Sequence, residues 1–213
     1  MRIAVLGTGV VGRTLAASFT AAGHDIVVGT RDPGATGQRE EWATSRLRLA
    51  TFADAAAPAE VVVNATQGAA SLDVLAQAGA AALAGAVLLD VANPLDCTGG
   101  FPPTLSVKDT DSLAEQIQRS FPEARVVKSL NTVSAEVMAD PGAVGDGDTT
   151  MFVAGGDAAA KEVVTLLLGE LGWHDVVDLG DLTGARGMEM WLPLWLRLFG
   201  SLSGRVFNLK IVR

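Results

Sequence analysis

The sequence has no tyrosine, only two histidines and a single cysteine, Cys97, among 213 residues. One thiol excludes an internal disulfide and any cysteine-rich metal site, and it fits a reducing compartment. The histidines offer little for a metal centre or a Ser/His/Asp set. His24 follows Ala22-Gly23 in a turn, and His174 sits between Trp173 and Asp175 at the entry to a late strand, so both read as structural. No metal site is expected. Positive charge is also scarce: the formal net charge is −8, which argues against nucleic acid or an anionic membrane as a partner. Long apolar runs are missing too. The start, Met1-Arg2-Ile3-Ala4-Val5-Leu6, passes straight into glycines, so no secretory leader is expected. Met190 to Phe199, the most apolar late stretch, contains Pro193 and Arg197 and is too short to span a bilayer. The reading is a cytoplasmic protein.

What is present is a globular composition, with 49% hydrophobic and 19% charged residues. Short Val/Ile/Leu runs with little polar alternation suit strands buried on both faces. They fall at Ile3–Leu6, Ile26–Gly29, Arg48–Phe52, Val61–Asn64, Val87–Val91, Arg125–Lys128, Thr150–Val153 and Asp175–Asp178. Between them, helices are predicted at Val10–Ala22, Gln38–Arg46, Ser71–Ala78, Ser112–Ser120, Ala158–Leu171 and Leu182–Phe199. Asn93–Ser106 and Asp140–Thr149 read as loops. This alternation predicts an α/β fold, a Rossmann-type doubly wound and mostly parallel sheet. The expected organisation is one domain over 1–213. A core of about 1–180 is followed by an add-on of about 181–213, a helix and a short extended strand at Val206–Val212.

Gly7-Thr8-Gly9-Val10-Val11-Gly12 is a G-x-G-x-x-G that follows the first strand and opens the first helix. In that setting Gly7 permits the tight turn, Gly9 lets the backbone approach a pyrophosphate, and Gly12 lets helix and strand pack closely. The helix N-terminus then receives the anion. A dinucleotide is the expected ligand. At the end of the second strand, where an NAD enzyme commonly carries Asp or Glu, the chain has Thr30-Arg31. A hydroxyl and a guanidinium there can donate to a 2′-phosphate, which selects NADP. Asp32 follows, and could neutralise Arg31 or turn toward the ribose. Further crevice residues come from the ends of the fourth and fifth strands: Ala65, Thr66, Gln67 and Gly68, then Asn93 and Pro94. Asn93-Pro94 also reads as a plain turn.

These segments, together with Gly23-His24-Asp25-Ile26-Val27-Val28-Gly29-Thr30-Arg31, Val126-Val127-Lys128-Ser129-Leu130-Asn131-Thr132, Ala185-Arg186, Met188-Glu189 and Leu192-Pro193-Leu194, resemble the coenzyme F420-dependent NADP oxidoreductases over nearly the whole chain. They also resemble the NADP-binding domain of the STEAP metalloreductases, which pass electrons to a flavin. The resemblance implies a Rossmann domain that holds a deazaflavin, or another flavin, against the nicotinamide of NADP for direct hydride transfer. The rings carry the chemistry, and the protein supplies proximity, orientation and dryness, so no catalytic side chain is assigned. It further places Thr8 to Val11 at the pyrophosphate, Thr30-Arg31 at the 2′-phosphate, and Gly68 and Leu72 along the NADP pocket. Asn131 and Thr132 are assigned to the same site. The chain carries Asn131 where archaeal members have His, and Ala65-Thr66-Gln67 where they have Thr-Ile-Pro.

Lys128 ends a strand on the crevice side, where it could donate to a substrate carbonyl or a phosphate, or pair with Asp90 or Asp96. Cys97 reads as inert. Met188, Trp191, Leu192, Trp195, Leu198 and Phe199 fall mostly on one helical face, which suits core burial or a homodimer contact. The leading expectation is an NADP(H)-dependent oxidoreductase exchanging hydride with F420 or a flavin-like carrier, a small-molecule redox substrate. The alternatives are an NADPH-dependent reductase of a small imine or carbonyl, with Lys128 or Asn131 as donor, and a non-catalytic NADP-sensing module.

Overall fold

The computed structural model describes every residue from Met1 to Arg213. Its strands are β1 (Arg2–Leu6), β2 (Asp25–Thr30), β3 (Arg48–Thr51), β4 (Val61–Asn64), β5 (Val87–Asp90), β6 (Leu95–Asp96), β7 (Thr104–Leu105), β8 (Arg125–Ser129), β9 (Thr150–Gly155) and β10 (Asp175–Asp178). All eight expected strands are there, to within two residues at each end. They form one sheet in the order β10-β9-β8-β5-β4-β1-β2-β3, in which β3, β2, β1, β4, β5 and β8 are parallel. The order reverses between β1 and β4, so a crevice opens there beyond the carboxyl ends of the strands, as in a Rossmann fold. β9 runs antiparallel to β8, and β10 follows β9.

The helices are α1 (Val10–Ala21), α2 (Pro33–Gly37), α3 (Glu40–Ala43), α4 (Phe52–Ala56), α5 (Ser71–Ala78) and α6 (Ala80–Leu83) in the first half. In the second half they are α7 (Leu113–Ser120), α8 (Ala135–Ala139), α9 (Ala158–Glu170), α10 (Gly184–Met190) and α11 (Leu192–Ser201). Alternate strand residues serve opposite faces, because side chains of a strand point up and down in turn. Ile3 and Val5 belong to the core on one face, which runs from Leu15 and Phe19 of α1 to Val137 of α8 and Leu167 of α9. Ala4 and Leu6 belong to the core on the other face, which runs from Phe52 of α4 and Leu75 of α5 to Ile117 of α7 and Ala185 of α10.

Four expectations need correction. The helix predicted over Gln38–Arg46 is replaced by α2 and α3. Asp32 caps α2 by accepting from the Ala35 amide at 2.9 Å, with Pro33 in the first turn, so the helix starts earlier. The single helix expected over Leu182–Phe199 is two helices that meet at Trp191. Pro193 has no N–H to bond back and its ring crowds the preceding turn, so the helix breaks there. Asn93–Ser106 carries a small antiparallel ribbon, Leu95 against Leu105 and Asp96 against Thr104. Finally, no strand forms at Val206–Val212. The segment's backbone bonds to the sheet only at Thr150, whose amide donates to the Leu209 carbonyl and whose hydroxyl accepts from the Ile211 amide. One backbone bond does not make a ladder.

Candidate functional site

Gly7 turns the chain off β1 at a φ of +126°. A Cβ on Gly12 would strike the Gly7 carbonyl oxygen, so α1 sits this close to the turn only because position 12 is glycine. Gly9 is the N-cap of α1 and makes no side-chain capping bond, and the first turn holds no acidic residue. The positive end of the helix is therefore unopposed, and the space at Gly9 is open. Above it lies a groove of about 750 Å³, a volume in the range of small-molecule and cofactor sites. Of the predicted residues, Gly7, Thr8, Gly9, Thr30, Arg31, Ala65, Thr66 and Gln67 line it. Thr36, Arg39, Asp73 and Gln77 line it too, and were not anticipated.

At one end of the groove Thr30 is buried, with its hydroxyl 2.8 Å from that of Thr36. Arg31 is exposed. Asp32 is occupied in capping α2 and does not pair with it. Arg39 reaches in from the α2–α3 junction, donating to the Thr8 hydroxyl at 3.2 Å and to the Thr36 hydroxyl at 3.3 Å. Trp42, buried on α3, donates its indole N–H to the Thr8 carbonyl at 3.3 Å and ties the short helices to the glycine loop. Neither arginine has a carboxylate partner, so two guanidiniums are left for an anion. The Asp32-Pro33 cap signal was the available clue to Arg39, because it starts a short helix at Pro33 that ends at Gly37 and leaves Arg39 as the N-cap of α3.

The other predicted residues lie outside this groove. Val10 is 62% exposed, and Val11 packs on the core. Leu72 packs on the core cluster that includes Val74, while Asp73, Val74 and Gln77 are the α5 residues that line the groove. Gly68, Asn93, Pro94, Asn131 and Thr132 gather instead at the ends of β5 and β8. A Cβ on Gly68 would hit the Asn93 carbonyl oxygen. Asn93 donates to the Asn131 carbonyl at 2.9 Å, and the Asn131 amide group donates back to Asn93 Oδ1 at 2.9 Å. Leu130, in the left-handed region at φ +62°, makes the sharp turn that follows Ser129. Asn131 Oδ1 and Thr132 Oγ1 are buried with no partner. Buried polar atoms normally find a partner, so this pair has hydrogen-bonding capacity to spare.

Lys128 does not face a ligand. It is fully buried, with its ammonium 2.8 Å from Asp90 Oδ2, 2.9 Å from Glu189 Oε1 and bonded to the Ala92 carbonyl. All three of its protons are used. Burial opposes its charge, but Asp90 and Glu189 outweigh that and hold the ammonium above its ordinary value. Burial likewise pushes the Glu189 carboxyl up, against the pull of Lys128. Asp90 was one anticipated partner; Asp96 is not bonded to it and instead holds Thr98. The part proposed for Lys128 as donor to an imine or carbonyl is thereby excluded.

His24 bridges the Met1 amine (3.2 Å) and Glu170 (2.6 Å) at the closed end of the sheet. No cluster of His, Cys, Asp or Glu could hold a metal ion, and no helix is long and apolar enough to cross a membrane. On α11, Trp195 stacks between Phe199 and Phe207 at centroid distances of 5.1 and 5.5 Å, while Leu194 is 53% exposed.

Comparison with known proteins fits this geometry. Residues 2–94 match the family described as NADP oxidoreductase, coenzyme F420-dependent. The F420-dependent NADP reductase of Methanothermobacter thermautotrophicus is 31% identical over 99% of this chain and 94% of its own. Rat metalloreductase STEAP3 is 31% identical over 92% of this chain, which spans only 37% of that protein's length. A crystal structure from Arthrobacter sp. FB24, provisionally described as an F420-dependent NADP reductase, is 56% identical over the full length of both chains with a TM-score of 0.97. The chain belongs to the family of coenzyme F420-dependent NADP oxidoreductases.

Proposed function

We propose that this protein is an NADP-dependent oxidoreductase that transfers hydride between NADP(H) and coenzyme F420. The observation that carries the reading is the groove over the Gly7–Gly12 turn, with two arginines on its wall that have no carboxylate partner. The open N-terminus of α1 suits the pyrophosphate, and Arg31 with Arg39 suits the 2′-phosphate. Thr66 and Gln67 extend the lining toward the Gly68–Asn93–Asn131 cluster. There, Asn131 Oδ1 can accept from a carboxamide N–H and Thr132 Oγ1 can donate or accept. When bound, the two rings supply the redox chemistry, a hydride passing directly from one to the other. The chain's residues orient the pair and exclude water.

We infer a homodimer, in which a second copy covers the apolar outer side of α11, where Leu194, Phe199 and Leu202 are exposed. The exposed, unpaired Cys97 supports a reducing setting such as the cytoplasm. The test of the activity offers F420 with NADPH and with NADH in separate reactions. Bleaching of the visible deazaflavin band with NADPH, and far less with NADH, is expected. An unchanged band with both donors would remove F420 as the second substrate.

A further inference from the structure

A buried ion pair rarely earns its place through stability alone, since desolvation offsets most of the attraction. The Asp90–Lys128–Glu189 cluster sets two carboxylates against one ammonium, and all three side chains are at most 1% exposed. Its wiring is specific. Asp90 Oδ1 accepts from Asn64 Nδ2 at 2.8 Å and from the Ala92 amide at 3.2 Å. Asn64 in turn donates to the Ser71 hydroxyl (2.9 Å) and accepts from the hydroxyl of Thr66 (2.7 Å), a residue of the groove lining. On the other side, Glu189 accepts from the Leu113 and Ala114 amides at 2.8 and 3.3 Å, the N-terminal turn of α7. That helix end offsets the second carboxylate.

Glu189 belongs to α10, and its neighbours grip the orphan-bearing turn. Asn131 Nδ2 donates to the Met188 carbonyl at 3.0 Å, and Trp191 Nε1 donates to the Thr132 carbonyl at 3.0 Å. A continuous run of hydrogen bonds therefore passes from Thr66 in the groove through Asn64, Asp90, Lys128 and Glu189 to the helix that holds Asn131 and Thr132.

We propose that Lys128 is a positioning residue that, through Asp90 and Glu189, latches α10 and the 129–132 turn in register with the cofactor groove. The latch rests on the hydride-transfer reading above for its purpose, since that reaction demands two rings held at a fixed separation. The pyrophosphate and 2′-phosphate contacts lie at the other end of the groove and are independent of it.

The test uses Glu189→Gln, which keeps shape and length while removing the charge that engages Lys128, and Lys128→Met as a second variant. On each, NADPH affinity is expected to stay within about 3-fold of wild type, because the phosphate-binding end is untouched. The single-turnover rate of hydride transfer to F420 is expected to fall by roughly 10- to 100-fold, the scale of an ångström-sized misplacement. The fluorescence lifetime of the bound reduced nicotinamide, read without any acceptor, is expected to shift at that unchanged affinity. A variant with wild-type lifetime and rate overturns the latch. So does one that loses rate only in proportion to NADPH affinity and thermal stability, since that is plain structural damage. If the wild type fails to bleach F420, the reaction assignment fails, and the lifetime at constant affinity still decides the latch. Should Lys128→Met not fold, Glu189→Gln carries the decision.

Discussion

Replacing Arg31 and Arg39 by alanine, singly and together, tests how the groove reads its ligand. Both guanidiniums lie on the groove wall without a carboxylate to neutralise them, and Asp32 is engaged in capping α2. A hydrogen bond to a charged group contributes about 1.5–3 kcal/mol. The side chains are exposed, so solvent screening favours the low end, and a loss of about 1.4 kcal/mol is tenfold in affinity. Each single variant should therefore bind NADPH roughly tenfold more weakly, and the double variant on the order of 100-fold. NADH has no 2′-phosphate, so its affinity should move by no more than about 3-fold, the scale of the weak Arg39 bonds to Thr8 and Thr36. Fluorescence titration of both nucleotides, repeated at raised salt, is the assay; the gap between NADPH and NADH should narrow as salt screens the phosphate contact. Equal losses for the two nucleotides would refute the argument. A neutral Arg39→Ala would return the 2′-phosphate to Arg31 alone.

Two further outcomes follow from the geometry. Gly68→Ala would drive a Cβ into the Asn93 carbonyl oxygen; overpacking of this kind costs about 1–3 kcal/mol, so thermal denaturation should show a lowered midpoint, and an unchanged one would mean the loop yields freely. The Asp175 carboxyl is held at about 2, well below its ordinary value of 3.8, by the hydroxyl of Thr150 first and by Arg213 and Lys210. A depressed carboxylate stabilises the fold above its unfolded value and loses that contribution as pH falls, so the protection of the Ile211 amide, its exchange rate relative to the intrinsic rate at each pH, should fall between pH 3.8 and about 2. Protection that stays flat across that window would show that the ion pairs do not hold the segment.

Much of the fold could be read from the chain because most strands are short runs buried on both faces, and Gly7 and Gly12 of the first turn each have a steric task. The groove was legible for the same reason: Gly7, Thr8, Gly9, Thr30 and Arg31 follow one another on two adjacent strands. Arg39 was not, since it sits between two short helices whose start depends on one cap at Asp32. Glu189 was invisible for a different reason. Its partners, Leu113 and Lys128, come from other elements, and nothing local distinguishes it from a glutamate on a solvated helix face. Pro193 was in plain view, yet the apolar pattern on both sides outweighed it, and two helices read as one. The segment at Val206–Val212 has strand-forming residues but too few backbone partners, a property of the sheet edge and not of its own composition.

The reversal of β9 against β8 has a consequence for how the molecule comes together. It brings Gly184 of α10 against Ala154, from which the helix runs to meet Asn131 and Thr132. Leu113 must wait 76 residues for the carboxylate that receives its amide. Without that carboxylate the first amides of α7 would lack their acceptor and Lys128 one of its two acidic partners, so α10 completes the buried polar cluster on that side of the sheet. One helix thus both closes the core over α7 and holds the turn at Asn131 and Thr132.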